Sequence, residues 1–150
     1  MTYSLIHPRE AKPPKKVYIA GPMTGLPQFN IPAFDRAAHM LRSHGIEVIS
    51  PAELDDPETR ATALASPDGA PGSGAANGET WGDFLSRDVK VIADSGLDGI
   101  VVLPGWNDSR GARLETFVGH ALCGLDVYHY WWPLRKVPEG ILRTAWIGVS

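Results

Sequence analysis

Two rhythms of apolar and polar residues alternate along the chain. Short runs rich in β-branched residues recur at Lys16–Ala20 (Lys-Val-Tyr-Ile-Ala), Ile46–Ile49, Asp98–Leu103 and Asp126–Trp131. They have the length and composition of covered parallel strands. Between them, apolar residues fall three and four apart, the helical period. Ile31, Phe34, Ala38 and Leu41 predict a helix that starts at Asn30 or Ile31, tolerates Pro32 in its first turn and stops at Gly45. Trp81, Phe84, Leu85, Asp88 and Ile92 share one face of a helix from Trp81 to about Ala93, with Thr80-Trp-Gly-Asp83 as its capping box. Leu114, Phe117, Val118, Ala121 and Leu122 predict the packing face of a helix from Ser109 to about Cys123, ended by Gly124. A turn or two of helix fits within Ala52–Leu64, a short helix fits Glu139–Thr144, and a last strand is expected near Ala145–Val149.

Strand, loop, helix and strand in repeated order predict an α/β fold. Its core is a small doubly wound parallel sheet of four or five strands, with helices on both faces. One domain spans 1–150. Residues 1–14, with Pro8, Pro13 and Pro14, read as an irregular lead-in. Residues 65–79, rich in Gly, Pro, Ala and Ser, read as a mobile loop able to close over a pocket at the carboxyl end of the second strand.

Composition narrows the function classes. With 150 residues, 43% hydrophobic and 21% charged, the chain has the make-up of a globular domain with a real core. A formal charge of −3 argues against a general binder of nucleic-acid polymers, which carries a basic surface. A single cysteine, Cys123, cannot form an internal disulfide, which suits a reducing cytoplasm. No apolar run approaches the ~18 residues of a membrane span, and the N-terminus lacks a signal-peptide core. Five tryptophans are many for this length, and some are expected to line a pocket or a subunit contact.

Candidate chemistry centres on Val101–Glu115, a strand, a Pro104-Gly105 turn and the start of a helix. In open α/β folds ligands bind where a helix N-terminus meets the carboxyl end of the sheet. Asp108 or Ser109 can cap this helix, Arg110, Gly111 and Arg113 sit at its mouth, and Glu115 lies about a turn and a half inside. Gly21-Pro-Met-Thr-Gly25 follows the first strand as a phosphate loop would, without the spacing of a dinucleotide fold or a P-loop. Glu115 is either a nucleophile or acid–base group, or a solvated helix carboxylate. Asp88, a carboxylate on an apolar stripe, needs a partner such as Arg113 or a catalytic purpose. Either arginine can hold a phosphate, pair with a carboxylate or face solvent. Asp98 reads as structural. The five histidines form no metal-ligating pattern, Cys123 has no evident activator, and no serine nucleophile motif is present, so neither a metal nor a cofactor is expected.

The residues Tyr18-Ile-Ala-Gly21, Trp81 with Arg87-Asp88, Asp98-Gly-Ile-Val-Val and Ser109-Arg-Gly111-Ala-Arg-Leu-Glu115 together resemble the nucleoside 2-deoxyribosyltransferase superfamily, over roughly residues 16–130. That superfamily includes deoxynucleoside and nucleoside monophosphate N-glycosidases. The likeness is greatest to a small, mostly phage and bacterial branch of unknown function. It implies a flavodoxin-like fold, a homodimer or larger homo-oligomer, and cleavage of the bond between a base and C1′ of a (deoxy)ribose. By that resemblance Glu115 matches the nucleophile, Asp88 an aspartate that helps protonate the leaving base or orients the nucleophile, and Tyr18 a tyrosine that orients the glutamate. Ser109 matches a 5′-phosphate contact. Gly21, Met23, Ser109, Gly111 and Arg113 would then line the sugar–phosphate side, and Trp81, Phe84 or Trp106 could stack on the base. Two carboxyl groups of differing pKa can divide nucleophile and acid duties, and Asp88 on an apolar face is expected to have a raised pKa and to be able to donate a proton. A phosphoribohydrolase of the lysine-decarboxylase-like type is echoed by Pro104-Gly105 and Glu115, at the wrong spacing. The reading from another class is a non-catalytic module that binds or senses a nucleotide; a third is a phage accessory protein that acts through protein contact.

Overall fold

The computed structural model describes residues 12–147. Most of the predicted lead-in, with His7, and the end of the predicted last strand therefore lie outside the described residues. The strands are β1 (Lys16–Ala20), β2 (Glu47–Ile49), β3 (Gly99–Val102), β4 (Asp126–His129) and β5 (Arg135–Lys136). They form one sheet in the order β2-β1-β3-β4-β5, with the first four parallel and β5 antiparallel to β4. This is the doubly wound, flavodoxin-like order, and the chain reverses its direction of winding between β1 and β3, where such folds open a crevice.

Helices α1 (Ile31–Ser43) and α2 (Pro57–Leu64) lie on one face, and α3 (Trp81–Asp94), α4 (Arg110–Thr116) and α5 (Glu139–Ile147) serve the other. Alternation along β1 assigns the faces. Val17 and Ile19 pack with Ile31, Phe34, Ala38 and Leu41 of α1, whereas Tyr18 and Ala20 pack with Ile92 of α3, Ala112 of α4 and Leu142 of α5. Residues Ile31, Phe34, Ala38 and Leu41 are all buried, as their spacing predicts. The capping box of α3 is also formed: the Asp83 N–H donates to Thr80 Oγ1 at 3.1 Å, and the Thr80 N–H donates to Asp83 Oδ2 at 2.8 Å. Asp98 is structural, its Oδ2 accepting from the N–H groups of Lys15 and Lys16 at 3.0 Å each.

Four expectations are corrected. Strand β4 ends at His129 rather than Trp131, and the chain returns to pair with it antiparallel as β5, which the apolar pattern did not predict. Residues Ala145–Ile147 are helical, not a strand. Ala145 and Trp146 pack on the core, and the Trp146 indole N–H donates to Thr116 Oγ1 at 3.1 Å, so tertiary contact decides the conformation. The helix that begins after Ser109 widens into a π-helical segment at Phe117–Leu122. Of its expected packing face only Val118 packs against the core; Ala121 is exposed. Ala112, Glu115, Thr116 and Gly119 are buried, while Leu114, Phe117 and Leu122 are exposed. Small residues win the inner side because the helix rides close on the sheet: a Cβ on Gly119 would sit 2.3 Å from Ile100 Cδ1.

The segment after β1 carries an unexpected turn. Gln28, Phe29 and Asn30 all have positive φ, at 56°, 52° and 60°, a left-handed conformation that costs roughly 1–2 kcal/mol per residue. The 65–79 loop holds it. The Gln28 N–H donates to the Ser66 carbonyl and the Gly25 N–H to the Gly69 carbonyl, both at 2.8 Å, and Phe29 lies against Gly74. The long loop thus packs over the segment that leaves β1.

Candidate active site

Tyr18, in the middle of β1, points to the α3/α4 side of the sheet beside the winding reversal. Its side chain is fully buried, and its O–H donates to Glu115 Oε2 at 2.6 Å. Glu115 belongs to the buried side of α4 and is 6% exposed; Asp88 belongs to the buried end of the α3 stripe and is 8% exposed. The two carboxyl groups are close enough to act on each other's ionisation. Three residues from β1, α3 and α4, separated by up to 97 positions in sequence, therefore meet in one buried cluster.

Burial decides the electrostatics. It raises the Glu115 carboxyl well above the ordinary glutamate range, and the neighbouring Asp88 charge raises it further, because two carboxylates in contact resist ionising together. Burial also raises Asp88, but the Arg87 guanidinium opposes that rise through its charge and its hydrogen bond. Burial, then Glu115 and Asp88, lift the Tyr18 phenol well above its usual value, so it stays a proton donor to Glu115. The raised Asp88 carboxyl follows from its place on the apolar stripe, and Arg87 moderates the rise.

Arg87 is the residue that sequence reasoning missed. Its Nε donates to Asp88 Oδ1 at 3.0 Å and its Nη2 lies 2.9 Å from the same oxygen, while Nη1 donates to Asp55 Oδ1 at 2.5 Å. Arg113, proposed as the partner of Asp88, instead directs Nη1 at the Asn107 carbonyl, 3.3 Å away. Adjacent positions on a helix do not face each other, so spacing alone does not pair Arg87 with Asp88; its long side chain reaches both aspartates.

The remaining candidates spread around this cluster. Ser109 caps α4, its Oγ accepting from the Ala112 N–H at 3.2 Å, and a Cβ on Gly111 would meet only open space. Gly21 is explained by packing, since a Cβ there would sit 2.8 Å from Leu103 Cβ. Met23 is half-buried against the α1 face. Trp81 is 47% exposed at the start of α3, and the Arg110 guanidinium stacks over its ring at 4.5 Å. Phe84 is half-buried, with the Arg87 guanidinium 5.5 Å from its ring centre. Trp106 is buried in the core and lines a cleft of about 340 Å³ with Pro104, Asn107, His129, Tyr130 and Ile141. A neighbouring cleft of about 350 Å³ is bordered by Asn107, Asp108, Arg113 and Thr144. Neither cleft contains Tyr18, Asp88 or Glu115. Among the described residues no group of three or more His, Cys, Asp or Glu side chains could hold a metal ion, and no helix is long and apolar enough to cross a membrane.

The family model described as "Domain of unknown function (DUF4406)" matches residues 15–128, which include every member of the cluster. No curated protein and no solved structure matches the chain.

Proposed function

The chain belongs to the DUF4406 family, and for it we propose cleavage of the N-glycosidic bond of a (deoxy)nucleoside or its 5′-monophosphate, by hydrolysis or by transfer to a second base. The observation that carries this reading is the convergence of Tyr18, Asp88 and Glu115 beside the winding reversal of the sheet. In the reaction Glu115, ionised, attacks C1′ and forms a glycosyl ester as the C1′–N bond breaks. The electron pair of that bond stays with the base, which takes the proton held by Asp88. Water or a second base then attacks C1′, the ester bond breaks, Glu115 is regenerated as a carboxylate, and the attacking group gives its proton to Asp88. Tyr18 holds Glu115 through its O–H and favours the ionised form of that carboxyl. Positive charge developing on the sugar is stabilised by the adjacent carboxylate in an oxocarbenium-like transition state.

Leu114 on the outer side of α4, with Phe117 and Leu122 on the π-helical segment that follows, supports a homodimer or larger homo-oligomer, since such side chains gain by being covered. Exposed Trp81, capped by Arg110, offers an aromatic face and a cation near the site. The test is incubation with a panel of nucleosides and nucleoside monophosphates, followed by chromatography for free base. Base release that falls by about a thousandfold or more in Glu115→Ala is expected, a loss of the size seen when a nucleophile is removed. Tight binding with no release in the wild type would favour a nucleotide sensor instead.

A further inference from the structure

We propose that Arg87 is a positioning residue that decides which carboxyl of the Asp88–Glu115 pair carries their shared proton, with Asp55 as the second seat for its guanidinium. The consequence for turnover rests on the glycosidic function proposed above. The assignment of the proton does not.

The geometry supplies the reasoning. A guanidinium presents five N–H donors in a rigid fork, and Arg87 spends them unevenly. Nε donates to Asp88 Oδ1, Nη1 to Asp55 Oδ1 and Nη2 to the Pro51 carbonyl at 3.3 Å, while Nη2 also lies 2.9 Å from Asp88 Oδ1. Asp88 Oδ2 is untouched by Arg87 and remains the oxygen able to take a proton. The Asp55 side chain is as buried as that of Asp88, with exposures of 9% and 11%, and Arg87 is its ion-pair partner. The guanidinium thus stands between two carboxylates and touches both. The groups around the shared proton are Tyr18 from β1, Asp55 from the segment after β2, Arg87 and Asp88 from α3, and Glu115 from α4.

With Arg87 on Asp88, that carboxylate is neutralised as an anion and Glu115 keeps the proton, so Glu115 cannot attack. When Arg87 moves onto Asp55, Asp88 becomes the more basic of the pair. The proton passes from Glu115 to Asp88, with no net gain or loss. Glu115 is then the ionised nucleophile, and Asp88 holds the proton the departing base requires. One movement of one side chain sets both roles.

Carboxyl NMR titration of the full chain, labelled at Asp and Glu and followed from about pH 4 to 9, tests this in the wild type, Arg87→Met, Arg87→Lys and Asp55→Asn. In the wild type Glu115 is expected to ionise at higher pH than Asp88. In Arg87→Met the order should reverse, with Asp88 moving up by about one unit or more, as an aspartate does on losing an adjacent arginine. Arg87→Lys, which keeps charge without the fork, should fall between the two. Asp55→Asn should move Asp88 the other way, because it leaves the guanidinium to Asp88 alone. If Arg87→Met does not fold, the opposite shifts in Arg87→Lys and Asp55→Asn carry the test. Unmoved Asp88 and Glu115 titrations in folded variants would overturn the proposal. Base release measured on the same samples separates the two readings: shifts without wild-type turnover defeat the glycosidic function and keep the Arg87 assignment, whereas turnover without shifts does the reverse.

Discussion

On one side of the sheet Val17, Ile19, Val101 and Leu103 meet Ile31, Phe34, Ala37, Ala38 and Leu41. On the other, Tyr18, Ala20, Ile100 and Val102 meet Ile92, Ala112 and Leu142, with Asp88 and Glu115 set among them. The first face is continuous apolar packing, and α1 contributes a buried side chain at nearly every inward position. The second gives part of its interior to two carboxyl groups and a phenol, and leaves Trp81, Leu114, Phe117 and Leu122 outside. Both are faces of the same four strands, so the strands do not set the difference. It comes from which side chains the helices turn inward. One face supplies stability, and the other uses some of it to hold ionisable groups in a dry environment where their protonation can be controlled.

Phe34→Ala should give the largest stability effect. Phe34 is fully buried at the centre of the apolar face, and removing a phenylalanine from such a site costs about 3–5 kcal/mol. Urea unfolding measures the loss. The carboxyl titrations of Asp88 and Glu115 should be unchanged under conditions where the variant remains folded. A loss below about 1 kcal/mol, or a coupled change in those titrations, would mean that the faces are not separate in the way the packing indicates.

The apolar face was the legible one. Its helix and strands repeat at 3.6 and 2 residues with little interference, so element order, sheet class and the core of α1 follow from pattern alone. The site was legible only in part. Asp88 stood out as a carboxylate on an apolar stripe, and Glu115 by its distance from the helix start. The inward side of α4 was misread because hydrophobicity was taken as the guide where close approach decides: Ala112, Thr116 and Gly119 face the sheet because they are small. Arg87 and Asp55 escaped for a different reason. Their contact joins positions 32 apart across a long connection, and local spacing carries no trace of it. The left-handed turn at Gln28–Asn30 is likewise imposed from outside, by hydrogen bonds to the 65–79 loop, and neither Gln28 nor Phe29 has a preference that announces it.

Gly119→Ala probes the close approach that opened the second face, with an intermediate effect. The added methyl would meet Ile100 Cδ1 at 2.3 Å and Leu125 Cδ1 at 3.4 Å, so α4 must shift or Ile100 must change rotamer. Overpacking of this kind costs about 1–3 kcal/mol. Because α4 also carries Glu115, the Glu115 titration should change in this variant and stay unchanged in Phe34→Ala. If the two variants affected the carboxyl pair equally, the distinction between the faces would fail.

Glu115→Gln should produce the smallest stability change and the most informative sign. An unfolded glutamate ionises near pH 4.3, by rough reference value, and folding raises Glu115 above that, chiefly through burial and then through Asp88. Between the unfolded and folded ionisation ranges the native state binds more protons than the unfolded chain, so stability falls as pH rises through that window. The penalty is absent below the unfolded range and complete above the folded one, opposite to a salt-bridged carboxylate. Glutamine retains a carbonyl oxygen for the Tyr18 O–H and cannot ionise, so it removes the penalty. Glu115→Gln is therefore expected to match the wild type near pH 4 and to exceed it by roughly 1 kcal/mol at pH 8, a Tm gain of about 2–4 °C for a chain of this size. Calorimetry at the two pH values decides it. A variant less stable than the wild type at pH 8 would mean that ionised Glu115 supports the fold, and the α4 face would then be a second structural core instead of a site maintained against stability.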